Sequence, residues 1–331
     1  MRRREFLGAL SGAMAMWPLA APAQPRDGDR QIGIITPFAS TDMETRHHLD
    51  VFRSELSKLG WTDGQGIKIH YRWGDGDPAH IAQGVKELVA LKPDVLLGRA
   101  TPVAKALAAE TRTIPIIFVV VSDPVGDNLV ASISRPGGNL TGFTNVEASL
   151  GGKWFGLLKE LAPAVTRVFV MFNPATSPGS GSYYMQLIEQ AAQTTPMKVA
   201  ATPVDDRTGI ERSIDAIAQD RDAGIVILPD VVTTGHRDLI IRQAAHYRIP
   251  AVYAYRYIAA EGGLASYGVD VADLYRRAAG YADRILRGDN VAELPVQAPL
   301  KFELAINVKT ATSLGLKVTP TLLALADEVI E

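Results

Sequence analysis

The sequence predicts an α/β protein of two lobes, each a parallel sheet covered by helices on both faces, with three crossings of the chain between them. Two observations predict it. Short, nearly continuous apolar runs alternate with amphipathic stretches, the pattern left by strands buried on both faces and the helices that cover them. That pattern runs through the chain twice, and 331 residues exceed the size at which a single core usually stops growing.

The chain begins MRRREFLGAL. Arg2, Arg3 and Arg4 precede an uncharged stretch from Phe6 to about Ala21 that Gly8, Gly12 and Pro18 dilute. A spanning helix needs roughly 20 consecutive apolar residues, so this stretch reads instead as a secretory signal, cleaved near Ala23 after Ala21-Pro22-Ala23. Arg3-Arg4-Glu5-Phe6-Leu7 resembles a twin-arginine address, and an ordinary basic leader shares its other features. Either one directs export, so the expected location is the periplasm.

After a polar linker, Pro25 to Arg30, the first lobe offers strands at 32–36, 67–73, 94–98 and 114–121. Between the first two, Leu49, Phe52, Leu56 and Leu59 recur at helical spacing. The second half offers strands at 167–173, 197–204, 223–230, 249–255 and 263–268. The crossings are expected near 141–152, 269–286 and 297–307. The short helical pieces at the end, 308–314 and 320–330, are too small for a lobe of their own and are expected back on the first. The expected division is therefore 30–143 with about 287–331 in lobe one, and about 144–286 in lobe two. Two such lobes leave a cleft facing the carboxyl ends of their strands.

Composition excludes several classes of function. The chain has no cysteine, so disulfides, thiolate metal sites and cysteine nucleophiles are out. Without residues 1–23 it carries 31 basic against 35 acidic residues, the opposite bias from a nucleic-acid protein. No phosphate loop, nucleophile elbow, zinc motif or dinucleotide fingerprint occurs. The six histidines (His47, His48, His70, His80, His236 and His246) form no i, i+4 pair, so neither a metal nor another cofactor is expected.

Candidate ligand residues lie in polar loops at strand ends. Phe38 and Ser40 follow the first strand. Thr101 follows the third, placed to cap a helix with Pro102 in its first position, and a capped helix start holds carboxylate or phosphate. Ser122 and Asp123 end the fourth. Lobe two answers with Asn173 and Thr176, then Asp230, Tyr255 and Tyr267. An ammonium on Asp123 or Asp230, with an apolar group against aromatic rings, would suit a zwitterion. Asp-Pro and Pro-Asp also serve simply as turn pairs. The run Pro178-Gly179-Ser180-Gly181-Ser182 lacks the lysine of a phosphate loop and reads as a turn.

Several segments, in order along the whole chain, carry a family resemblance. They are MRRREFL, VSDPV (121–125), SRPGGNLTGFT (134–144), GGLASYGVD (262–270), LPVQAPLKFELAINVKTATSLGL (294–316) and the final LADEVIE. Together they resemble the ABC transporter substrate-binding proteins often labelled tryptophan or tyrosine importers. The resemblance implies a type I periplasmic-binding-protein fold, a monomer that takes a small solute, and a partner ABC permease in the inner membrane. The crossings near Phe143, Val269 and Val296 are the expected hinges of closure, and the missing catalytic motifs fit a mechanism with no covalent chemistry. The loops TPFASTDMET and NPATSPGSGSYY look particular to this chain, and such loops set specificity. A solute-sensing subunit for a signalling receptor, or an exported enzyme, are the alternatives. A repressor of similar lobes is excluded, because a leader occupies the place of its DNA-binding helices.

Overall fold

The computed structural model describes residues 29–331 except Ala148; the expected signal segment, 1–23, lies outside the described residues. The first sheet is built from β1 (Arg30–Thr36), α1 (Met43–Lys58), β2 (Thr62–Asp63), β3 (Gly66–Trp73), α2 (Pro78–Ala90), β4 (Val95–Arg99), α3 (Thr101–Glu110), β5 (Ile116–Val121) and β6 (Leu140–Thr144). Its strands are all parallel, in the order β2-β3-β1-β4-β5-β6. Period-two alternation divides the buried side chains between two faces. Ile32 and Ile34 meet Leu49, Phe52 and Leu56 of α1 on one side. Ile35, Leu96 and Phe118 meet Val85, Leu88, Val103 and Leu107 of α2 and α3 on the other.

The second half supplies α4 (Leu150–Leu161), β7 (Arg167–Phe172), α5 (Ser182–Ala192), β8 (Lys198–Pro203), α6 (Arg207–Ile217), β9 (Ala223–Ile227), α7 (Val231–Gly235), α8 (Arg237–His246), β10 (Ala251–Tyr253), α9 (Arg256–Ala260) and β11 (Ala265–Val269). It is followed by α10 (Val271–Leu286), β12 (Phe302–Asn307), α11 (Val308–Ser313), α12 (Pro320–Leu325) and β13 (Glu328–Ile330). The second sheet runs β13-β12-β11-β10-β9-β7-β8. No helix among the described residues is long and apolar enough to cross a membrane.

That strand order corrects the expected division of the chain. Residues 302–330 do not return to lobe one: β12 pairs antiparallel with β11, and β13 pairs with β12, so both extend the second sheet. The piece that does return is α10, which packs along α1 and against β5 and β6. The reason is parity. A chain that starts in lobe one and crosses three times must finish in lobe two.

The crossings fall at Thr144–Leu150, Val269–Val271 and Gln297–Phe302. The first and third run side by side, with the Thr144 N–H donating to the Gln297 carbonyl (2.9 Å) and the Gln297 N–H to the Gly142 carbonyl (2.8 Å). Gly142 is required here. A Cβ on it would lie 2.0 Å from the Phe118 carbonyl oxygen of the neighbouring strand, and its φ is +156°. Asn139 fixes the start of β6 by donating its amide to the carbonyls of Thr111 and Ile114, and the Thr141 hydroxyl ties the strand to the Leu294 carbonyl, just ahead of the third crossing. The result is the two-lobed, thrice-crossed type I periplasmic-binding-protein fold.

Candidate functional site between the lobes

The carboxyl ends of both sheets face each other across a narrow cleft that is almost shut, with a cavity volume of about 20 Å³. Lobe one lines it with Phe38 after β1, Arg99, Ala100 and Thr101 where β4 runs into α3, and Val120 and Ser122 at the end of β5. Lobe two supplies Thr176, Pro229, Asp230, Val231, Thr234 and Tyr255, all from loops or helix starts after strands. A βαβ lobe brings such loops together because every parallel strand ends on the same edge of its sheet.

Backbone strain shapes the lobe-one wall. Ala100 holds φ 71°, ψ 157°, a region used almost solely by glycine, and Val120 holds φ 60°, which a β-branched residue rarely adopts. A register shift between Val119 and Val121 in the β5–β6 pairing accompanies the second, as expected for a bulge that turns a side chain toward a site. Thr101 was expected to cap α3. Instead Ala100 takes the cap position and no side chain bonds the first N–H groups of that helix. Thr101 and Pro102 become the first two helical residues.

Asp230 is 6% exposed and caps α7. It accepts hydrogen bonds from the N–H groups of Thr233 (2.8 Å) and Asn173 (2.9 Å). Burial pushes its carboxyl up to about 6, against the opposing pull of those backbone donors. Asn173 sits behind the wall rather than in it: its side chain donates to the Val204 carbonyl and accepts from Thr176.

A polar relay joins the lobes at the back of the cleft. The Ser122 hydroxyl lies 3.0 Å from both Asn145 Oδ1 and the Tyr184 hydroxyl, and the Asn145 amide donates to the Tyr255 hydroxyl (3.1 Å). At the mouth, Arg237 of α8 lies 2.7 Å from Asp42, which also caps α1.

Arg99 is 3% exposed. Its guanidinium stands 4.8 Å from the centre of the Phe38 ring, and Nη1 lies 3.3 Å from both Thr45 Oγ1 and His48 Nδ1. An arginine only donates, so His48 Nδ1 accepts and its Nε2–H points to Glu44, 3.2 Å away. Burial holds that imidazole neutral, with its pKa lowered to about 4.

Of the residues singled out from sequence, Phe38, Thr101, Ser122, Thr176, Asp230 and Tyr255 line the cleft, and five others, Asn173 behind the wall among them, do not. Ser40 stands outside the lining, its carbonyl accepting from Arg46. Pro102 lies inside α3, and Asp123 closes a turn by accepting the Gly126 N–H. Tyr267 stacks on Phe302 and accepts from Lys153 on the α4 side of lobe two. Arg99, Ala100 and Val120 were missed. The available signal was an arginine ending the apolar run DVLLG, where a charge is buried rather than solvated.

The sequence matches the profile of the ABC transporter substrate binding protein family over residues 35–330. It is 26% identical over 266 residues to a tyrosine-binding protein of Clostridioides difficile, covering 80% of this chain and 76% of that protein. A crystal structure of a conserved domain protein from Vibrio cholerae superposes with a TM-score of 0.82 at 28% identity, covering 91% of this chain and all of that one. An ABC domain from Streptococcus pneumonia in complex with L-Trp superposes with a TM-score of 0.81 at 25% identity, covering 92% and 100%. A match that takes in both sheets, all three crossings and every loop of the cleft leaves one conclusion: the chain belongs to the ABC transporter substrate-binding protein family.

Proposed function

We propose that this protein captures a free amino acid, aromatic or branched, in the interlobe cleft and presents it to an ABC permease for import. The observation that carries this reading is the cleft itself, walled by strand-end loops of both lobes and holding a buried carboxylate, Asp230, beside the rings of Phe38 and Tyr255. Asp230 receives the ammonium, and the rings with Val120 and Val231 receive the side chain. The relatives named for tyrosine and L-Trp support an amino acid as the solute class.

Closure follows from differential contact. A solute held by one lobe gains the other lobe's groups only when the cleft shuts, and the equilibrium moves by that difference alone. Residues 1–23 direct the chain to the periplasm, where it acts as a monomer, and the outer face formed on closure is what the permease reads.

A thermal-shift screen of residues 24–331 against amino acids, aromatic acids, short peptides, nucleosides and sugars tests this. A solute at about 100 times its dissociation constant adds roughly 2.7 kcal/mol of stability. A shift with an aromatic or branched amino acid supports the reading; a shift with sugars or nucleosides alone overturns it.

A further inference from the structure

We propose that Arg99 is the receptor for an anionic group of the solute, and that its lack of a counter-charge makes closure of the lobes conditional on that group. The inference rests on the solute-binding reading of the cleft and names the chemistry the solute must carry.

Arg99 is more deeply buried than Arg237, yet the two are treated differently. Arg237 meets two carboxylates, Asp42 and Glu261. Among the described residues no carboxylate reaches Arg99. Its polar neighbours are a threonine hydroxyl, a neutral imidazole and the Tyr275 hydroxyl, and a phenyl ring covers it. The phenols of Tyr255, Tyr257 and Tyr275 surround it, but burial raises their pKa values, so at neutral pH they offer dipoles and no charge. Asp42, which acts on it from further off, is already bonded to Arg237.

A buried ion without a partner is costly, and the cost is largest when water is excluded. Tyr255 and Tyr257 belong to lobe two, so closing the cleft is the step that desolvates Arg99. A solute carboxylate removes that penalty in the closed state alone, and guanidinium is the cation best shaped to hold one. Beside it lies the start of α3, whose N–H groups no side chain caps and whose Thr101 lines the same wall.

Two measurements on the wild type and Arg99→Met test this. In X-ray scattering without ligand, the wild type is expected open and Arg99→Met shifted toward the closed radius of gyration, because the unpaired charge is gone. An Arg99→Met variant no more compact than the wild type overturns the proposal, since Arg99 would then draw the lobes together through the tyrosines. Calorimetry uses L-tyrosine and L-tryptophan, the amines tyramine and tryptamine, the matching propionic acids without an ammonium, and neutral sugars. Carboxylate probes are expected to bind the wild type at least about 100-fold more tightly than the amines, and to lose about that factor in Arg99→Met. Amines binding within threefold of the amino acids, or Arg99→Met binding within threefold of the wild type, overturns the proposal. Binding of the ammonium-free acids alone keeps Arg99 and removes the amino-acid reading, whereas binding of sugars alone removes both. If none of these probes binds, the scattering result decides.

Discussion

The Arg237 guanidinium, on lobe two, lies 2.7 Å from the Asp42 carboxylate, on lobe one, and both side chains are nearly out of solvent at 14% and 13% exposure. It is an interlobe ion pair, and it closes the mouth of the cleft opposite the Ser122–Asn145–Tyr255 relay. Arg237 is also held by Glu261 of its own lobe, so it reaches Asp42 already oriented. The pair acts only on the closed form.

Arg237→Met is therefore expected to weaken solute binding without unfolding either lobe. A pair of this kind, at the mouth of the cleft and still touched by solvent, contributes about 1 kcal/mol, which is roughly fivefold in affinity, its loss appearing mainly as faster release. The wild-type advantage should shrink as salt is raised. Stopped-flow release rates at low and high ionic strength check both points. The Asp42 carboxyl is held below the usual range: burial opposes this, but the bond from Thr45 and the charge of Arg237 prevail. A depressed carboxyl contributes stability above its unfolded pKa and loses it as pH falls through the folded one, so the clasp should survive mild acid.

Asp230 behaves in the opposite sense. Its carboxyl, pushed up to about 6 by burial from a starting value of 3.8, binds its proton more tightly in the folded protein. The group's contribution to stability is present below about pH 3.8 and lost as pH rises through 6. Ammonium binding needs the ionised form. Affinity for amino acids is expected to fall up to about tenfold per pH unit below 6, while the ligand-free protein gains stability from this group over the same range. Calorimetry between pH 5 and 7.5 reads the first; a flat profile would remove Asp230 from the ammonium site.

Ala100→Gly is expected to stabilise the protein. Glycine in place of a residue usually costs backbone entropy, but at φ 71°, ψ 157° alanine is strained by about 1 kcal/mol or more. A rise of about 2–4 °C in melting temperature is the expected sign. A fall would show that the wall at Ala100 is relaxed.

Gly142→Ala should have the reverse effect. The added methyl meets the Phe118 carbonyl where β6, the edge strand, pairs with β5, and the bonds to Gln297 hold β6 in place from its other side. A loss above about 3 kcal/mol, seen as a urea midpoint far below that of the wild type, is expected.

The strands and the cleft were legible for one reason. Runs such as IIFVVV are buried on both faces and therefore announce themselves, and in parallel sheets their ends converge without further information. Arg99 was not legible, because an arginine at the end of an apolar run reads as the edge of the core and its burial depends on Phe38 and on tyrosines far away in sequence. The strain at Ala100 and Val120 has no residue signature at all. The place of FELAIN was missed because its pairing is with residues 265–269, across an intervening helix that belongs to the other lobe. Segments that carried the family likeness, such as SRPGGNLTGFT, build the crossings through Asn139, Thr141 and Gly142. They revealed the architecture and left the solute unnamed.

The pairing of β12 with β11 also governs the order in which the molecule can be completed. As the chain leaves the ribosome, lobe one lacks α10 and lobe two lacks its last two strands until nearly everything has been synthesised. Until then β11 presents an open edge, a template for wrong partners. Neither lobe is a contiguous stretch of sequence, so a fragment ending before Phe302 would not be a half receptor but an unfinished sheet. The nascent protein must wait for its own carboxyl end, and an export route that accepts only folded cargo would have to wait with it.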